Sequence, residues 1–225
     1  MSEDPQTEPR DYRAQRRTWV VGGVLLLLSV AAGIAARGSL ADLSPAKDWL
    51  FAAAGIIFAI GLGRAGSVTG RRFFGTVSTI LMVVAPLTQS YWFTLLPDYS
   101  DNPNAGEDAW VLVATAYFGT VAVLTVIAVV AIGLARVVPS PWRWAPLWLM
   151  IWTLVTFWTG LTIFGFAVPS PVTSFGAILS GYAPAAGVAF LGILSIVLGL
   201  RRTSSREAGA DLDVLPRPAD PARGR

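Results

Sequence analysis

RRFFGTVSTILMVVAPLTQSYWFTLLPDYSDNPNAGED, residues 71–108, is the stretch from which the rest of the chain can be read. Arg71 and Arg72 open it, a mostly apolar run from Phe73 to Leu96 follows, and a loop holding Asp98, Asp101, Glu107 and Asp108 but no basic residue closes it. About 20 apolar residues suffice to carry a helix across the hydrocarbon core of a bilayer, and basic flanks stay on the cytoplasmic side. The stretch therefore reads as a membrane crossing with a direction, Arg71 inside and the acidic loop outside.

Composition extends that reading to the whole chain. Of 225 residues, 54% are hydrophobic and only 14% charged, against roughly 25% charged in a soluble domain. The charges gather in the two ends and a few short loops. Histidine and cysteine are both absent, which removes disulfides, thiol chemistry and the usual zinc, haem and iron–sulfur ligand sets. No cofactor is expected. The net charge of +3 comes from arginines beside apolar runs, where they mark topology and attract anionic lipid headgroups. A nucleic-acid binder would need a basic face on a folded surface, so the expected partners are the lipid bilayer and a membrane protein or a second copy, and not nucleic acid. One lysine, Lys47, stands against sixteen arginines. With the abundance of alanine, glycine and valine, this suggests a GC-rich bacterial genome and hence a bacterial plasma membrane.

Working outward from residues 71–108 gives six apolar spans, at about 18–36, 46–64, 73–96, 109–135, 144–168 and 175–200. Each is far longer than the 9–11 residues of a membrane β-strand. Helices and closed barrels are the only structures that satisfy backbone groups in lipid, so the expected fold is all-α, a bundle of six transmembrane helices. Residues 1–17 and 201–225 are polar and proline-containing and read as disordered tails. The first span, with its basic leader, resembles a signal peptide, but it is longer than the usual 7–15 apolar residues and reads as a retained anchor. With both termini cytoplasmic, fifteen basic residues lie inside and two, Arg37 and Lys47, outside, as the positive-inside rule requires. Trp49, Trp92 and Trp110 then fall at the outer boundary, and Trp19, Trp142 and Trp144 at the inner one. Ser44-Pro45 suits a helix start, serine as N-cap and proline in the first turn.

No Asp, Glu, Lys, Arg or His lies within the hydrocarbon part of a span. Proton and ion relays normally use such groups, and intramembrane hydrolysis needs catalytic sets that the spans lack. No catalytic or metal-binding residue is assigned, and the acidic loop does not follow the spacing of an EF-hand. The candidate intramembrane contacts are polar or helix-breaking. In the third span Gly75, Thr79, Met82, Pro86, Gln89 and Phe93 follow one helical face, which should point at other helices. Pro86 frees the carbonyl of Met82, and Gln89 needs partners that lipid does not supply. The sixth span carries Tyr182 and Pro184, and by residue count Pro184 lies near mid-depth like Pro86. Thr153, Thr156, Thr159 and Thr162 in the fifth span drift around the helix and can bond their own backbone, while Trp152 and Trp158 should find partners inside the bundle. Small residues at four-residue spacing, Gly55, Ala59 and Gly63 in the second span and Ala183 and Gly187 in the sixth, invite close helix packing. Two functions follow: a non-enzymatic membrane component or accessory subunit, or a carrier for a neutral or lipid-like solute with Pro86, Gln89, Tyr182 and Pro184 along its path; Thr79 is a further candidate polar contact.

Overall fold

The computed structural model describes residues 8–38, 40–62, 67–70, 72–94, 103–135, 137–138, 140, 142–166 and 181–200. These residues are helical with short turns and contain no strand. The helices are α1 (Glu8–Ala36), α2 (Ser44–Ile60), α3 (Phe73–Thr94), α4 (Pro103–Ala135), α5 (Ala145–Phe166) and α6 (Gly181–Leu200), with 3-10 turns at Ala41–Leu43 and Trp142–Trp144. α1, α2, α3, α4 and α6 are each long and apolar enough to cross a membrane, which defines a multi-pass α-helical membrane protein.

Several boundaries differ from those expected of the sequence. α1 begins at Glu8, so residues 8–17 continue the first span as helix and are not a structureless tail. Nucleation is the costly step of helix formation. Once the apolar run is helical, arginine, alanine and glutamine extend it cheaply. α4 likewise begins at Pro103, inside the loop read as irregular, where the fixed φ of proline suits a first helical turn. α2 is shorter than its apolar run. It starts at Ser44, with Leu43 in the capping position and Pro45 in the first turn, and it ends at Ile60 because Gly61 adopts φ 77°, ψ 148°. The expected end at Arg64 and the expected Ser44 cap are both replaced. The loop 169–174, the small residue Gly63, the acidic residues Asp98 and Asp101, and the tail 201–225 lie outside the described residues.

α1, α2, α3 and α4 pack antiparallel in succession. Thr18 meets Leu62 at one end of the α1–α2 pair, and Ser29 donates to the Lys47 carbonyl at 2.9 Å towards the other. Val83 of α3 fills the space that a side chain at Gly55 would need. α3 and α4 join through Gly75 with Ala131, Ala85 with Tyr117, and Phe93 with Trp110. α6 returns against α1: Gly192 lies on Gly23, Gly199 near Trp19 and Val20, and Gly181 beside Arg37. The α1–α6 seam brings two backbones together. A methyl group on Gly23 would come within 2.7 Å of the Gly192 carbonyl oxygen, and one on Gly192 within 3.0 Å of the Gly23 carbonyl oxygen. Two backbones this close leave no room for a Cβ, which is how small residues join helices in lipid.

The bundle has two chemically different ends. Arg13, Arg16, Arg17, Arg72 and Arg143 lie at the end where α1 and α3 begin and α2 and α4 finish. Asp42, Asp48 and Asp108 lie at the other, with Arg37 and Lys47. Lys47 and Asp48 form the one ion pair seen among the described residues, 3.4 Å apart and partly exposed.

Candidate functional site

The densest polar cluster sits at the arginine-rich end, around the point where α2 stops. The last carbonyls of a helix have no partner within it, and here the following loop folds back to supply them. Gly61 donates its N–H to Ile57 O at 2.8 Å, and Val68 donates its N–H to Phe58 O at 2.9 Å. Ser67 Oγ donates to Ala59 O at 2.6 Å. Ser67 lies 3.0 Å from Thr69 Oγ1, which lies 2.8 Å from Thr76 Oγ1 of α3. Each hydroxyl has one proton. With the Ser67 proton committed to Ala59, the order Thr76 to Thr69 to Ser67 to Ala59 O satisfies all three hydroxyls, and the Thr69 proton has the Ala59 carbonyl, 3.4 Å away, as its alternative acceptor. Such a chain polarises in one direction, each bond strengthening the next.

Thr18 completes the cluster from α1. Its hydroxyl donates to Ala14 O at 2.9 Å and accepts the N–H of Leu62 at 2.8 Å. Thr18 and Thr69 are fully buried. Gly70, at φ 60°, turns the loop into α3. Among the described residues the cluster is built of hydroxyls and carbonyls, and it clasps three helices. None of its residues was among the candidate contacts expected from the sequence. The signal was present in Ser67-Val68-Thr69-Gly70, two hydroxyl residues and a turn-forming glycine just beyond a helix end.

The residues singled out from the sequence are scattered. Thr79 is buried, with its hydroxyl donated to Gly75 O of its own helix at 2.7 Å. Pro86 is half-buried, and α3 runs through it without interruption. The neighbouring Ala85 carbonyl accepts Thr88 Oγ1 at 2.8 Å and Tyr117 Oη of α4 at 3.0 Å. Gln89 is exposed on α3. The buried positions of α3 are Gly75, Ser78, Thr79 and Val83. Gln89, ten residues beyond Thr79, is turned about 80° from it at 100° per residue. Only the arginine-rich half of the expected stripe is buried. Tyr182 and Pro184 are exposed in the first described turn of α6 and not at mid-depth. Tyr182 lies under Arg37, whose guanidinium carbon is 4.5 Å from the ring centroid and whose Nη2 donates to Gly181 O at 2.8 Å.

The aromatic residues divide by environment. Trp92, Phe93, Trp110, Tyr117 and Phe118 form a ring cluster across the α3–α4 seam, with centroid separations of 5.1–6.4 Å. Trp49, Trp110 and Trp142 are exposed near helix ends, as belt residues should be, whereas Trp19 is buried against Gly199. Trp152 and Trp158 are 54% and 59% exposed on α5. Thr156 does bond its own helix, at Trp152 O and Thr153 O. Among the described residues no group of three or more acidic or metal-binding side chains is assembled.

Comparison with known proteins finds no family model, curated protein or solved structure that matches the chain.

Proposed function

We propose that this chain is a six-crossing protein of a bacterial plasma membrane, with both ends in the cytoplasm, that serves as a non-enzymatic membrane component or accessory subunit. Helix directions support the sixth crossing. α4 and α6 both run antiparallel to α1, so the chain leaves α4 at the arginine-rich end and enters α6 at the other. α5, 22 residues without a charge, is the segment available to make that passage. Apart from Arg37, the described arginines gather at one end of the bundle, which supports the orientation.

The observation that carries the subunit reading is the way the seams are filled. Gly22 receives the Phe58 ring, Gly55 receives Val83, Gly75 receives Ala131, Gly133 receives the Trp144 ring and Gly187 receives Leu149. At these five positions the space beside the glycine is taken by a neighbouring side chain, which supports a packed bundle over a solute path. The working surfaces of such a bundle are its outward faces and its ends. The native chain lacks cysteine, so single cysteines at positions 79, 82, 86 and 89 report without background. All four are expected to stay unreactive towards a water-soluble thiol reagent in intact membranes. Reaction at three or more along the helix would reveal a wet pathway and favour the carrier.

A further inference from the structure

We infer that the turn Trp142-Arg143-Trp144 holds the phosphate of an anionic glycerophospholipid headgroup. The turn sits at the arginine-rich end: the Trp144 ring covers Gly133 of α4, and Gly70, next to the clasp, lies against Ala135. Trp142 stands 6.4 Å from the Phe190 ring of α6 and remains 41% exposed. Arg143 lies between the two tryptophans in sequence, with its guanidinium carbon 5.8 Å from the Trp144 ring centroid. Arg143 is half-buried, and its Nε is sealed from solvent without a hydrogen-bond partner. Asp42, Asp48 and Asp108 lie at the opposite end of the bundle, while Glu8 and Asp11 belong to the first turns of α1.

A half-buried guanidinium whose Nε has no described hydrogen-bond partner is costly, and its planar fork matches a phosphate better than any other side chain does. Tryptophans place their polar N–H at headgroup depth. A basic residue between helices at a membrane surface is a known setting for anionic headgroups. A net-neutral choline lipid carries the same phosphate with its own cation attached, and so gains less from Arg143.

The test is native mass spectrometry of the full-length protein released from membranes containing equal amounts of phosphatidylglycerol and phosphatidylcholine. The wild type should retain phosphatidylglycerol in preference. Arg143→Gln should lower that retention about fivefold, the ratio expected for one basic residue at an anionic surface. Arg143→Lys should fall between, keeping the charge and losing the fork, and it serves if the glutamine variant does not fold. Arg13→Gln, at an exposed position, should leave retention unchanged. Equal retention of the two lipids, or an Arg143→Gln variant that behaves as wild type, overturns the assignment. Displacement of the lipid by millimolar inorganic phosphate also overturns it, since the site would then take free phosphate. The inference needs only that Arg143 lies at a membrane surface, so reversal of the proposed orientation leaves it standing.

Discussion

The hydroxyl of Thr18 accepts the backbone N–H of Leu62 at 2.8 Å, so the first helix caps the chain as it emerges from the second. Gly61 has already left helical geometry, and without Thr18 the Leu62 donor has no described acceptor. Thr18→Val, which keeps shape and removes the oxygen, should destabilise the protein by about 1–3 kcal/mol through the unsatisfied donor. Thr18→Ser should stay close to wild type. Thermal unfolding in detergent measures both, and equal melting of the valine variant and wild type would refute the role given to this bond.

The hydroxyl chain beyond it has an internal hierarchy. Thr69 touches Ser67, Thr76 and Ala59 O, whereas Thr76 touches Thr69 alone among these groups. Thr69→Val should therefore cost more than Thr76→Val, by about 1 kcal/mol for the additional bond lost. The same unfolding assay ranks them, and the reverse order would show that the chain does not run as drawn.

The α1–α6 seam depends on two glycines meeting backbone to backbone. Gly23→Leu should destabilise by about 1–3 kcal/mol, because the intruding side chain meets a carbonyl that cannot move aside easily. Gly119 has open space around a built Cβ, and Gly119→Ala should be neutral or stabilising by up to about 1 kcal/mol from helix propensity alone. A tolerated leucine at position 23 would mean that α6 does not lie against α1 in this register.

Orientation can be read with a membrane-impermeant maleimide on intact cells. Asp42→Cys and Asp108→Cys should label from outside, and Ser140→Cys only after permeabilisation. Labelling of Ser140→Cys in sealed cells, with protection of the other two, would reverse the proposed topology.

Span length and arginine placement were legible because the bilayer itself dictates them. A helix must be long enough to cross and its basic flanks resist transfer, so the apolar run read as 73–96 appears as Phe73–Thr94. The termini of elements were less legible. Gly61 stops α2 inside an apolar run, and Glu8 and Pro103 start helices in polar stretches, since these ends are set by local φ and by cooperative extension. The buried face of α3 was also misjudged at Gln89. In lipid every apolar face is acceptable, so polarity marks the interior less sharply than it does in water.

The linear order of residues was enough to establish that this is a helical, membrane-crossing chain without histidine or thiol chemistry. That follows from what hydrocarbon excludes and from which residue types are absent. Only the folded chain could decide that Gly23 meets Gly192, that Thr18 caps Leu62 and that Tyr182 lies under Arg37. Those meetings join residues tens to hundreds of positions apart, and they depend on the mutual register of helices whose outer faces lipid accepts alike.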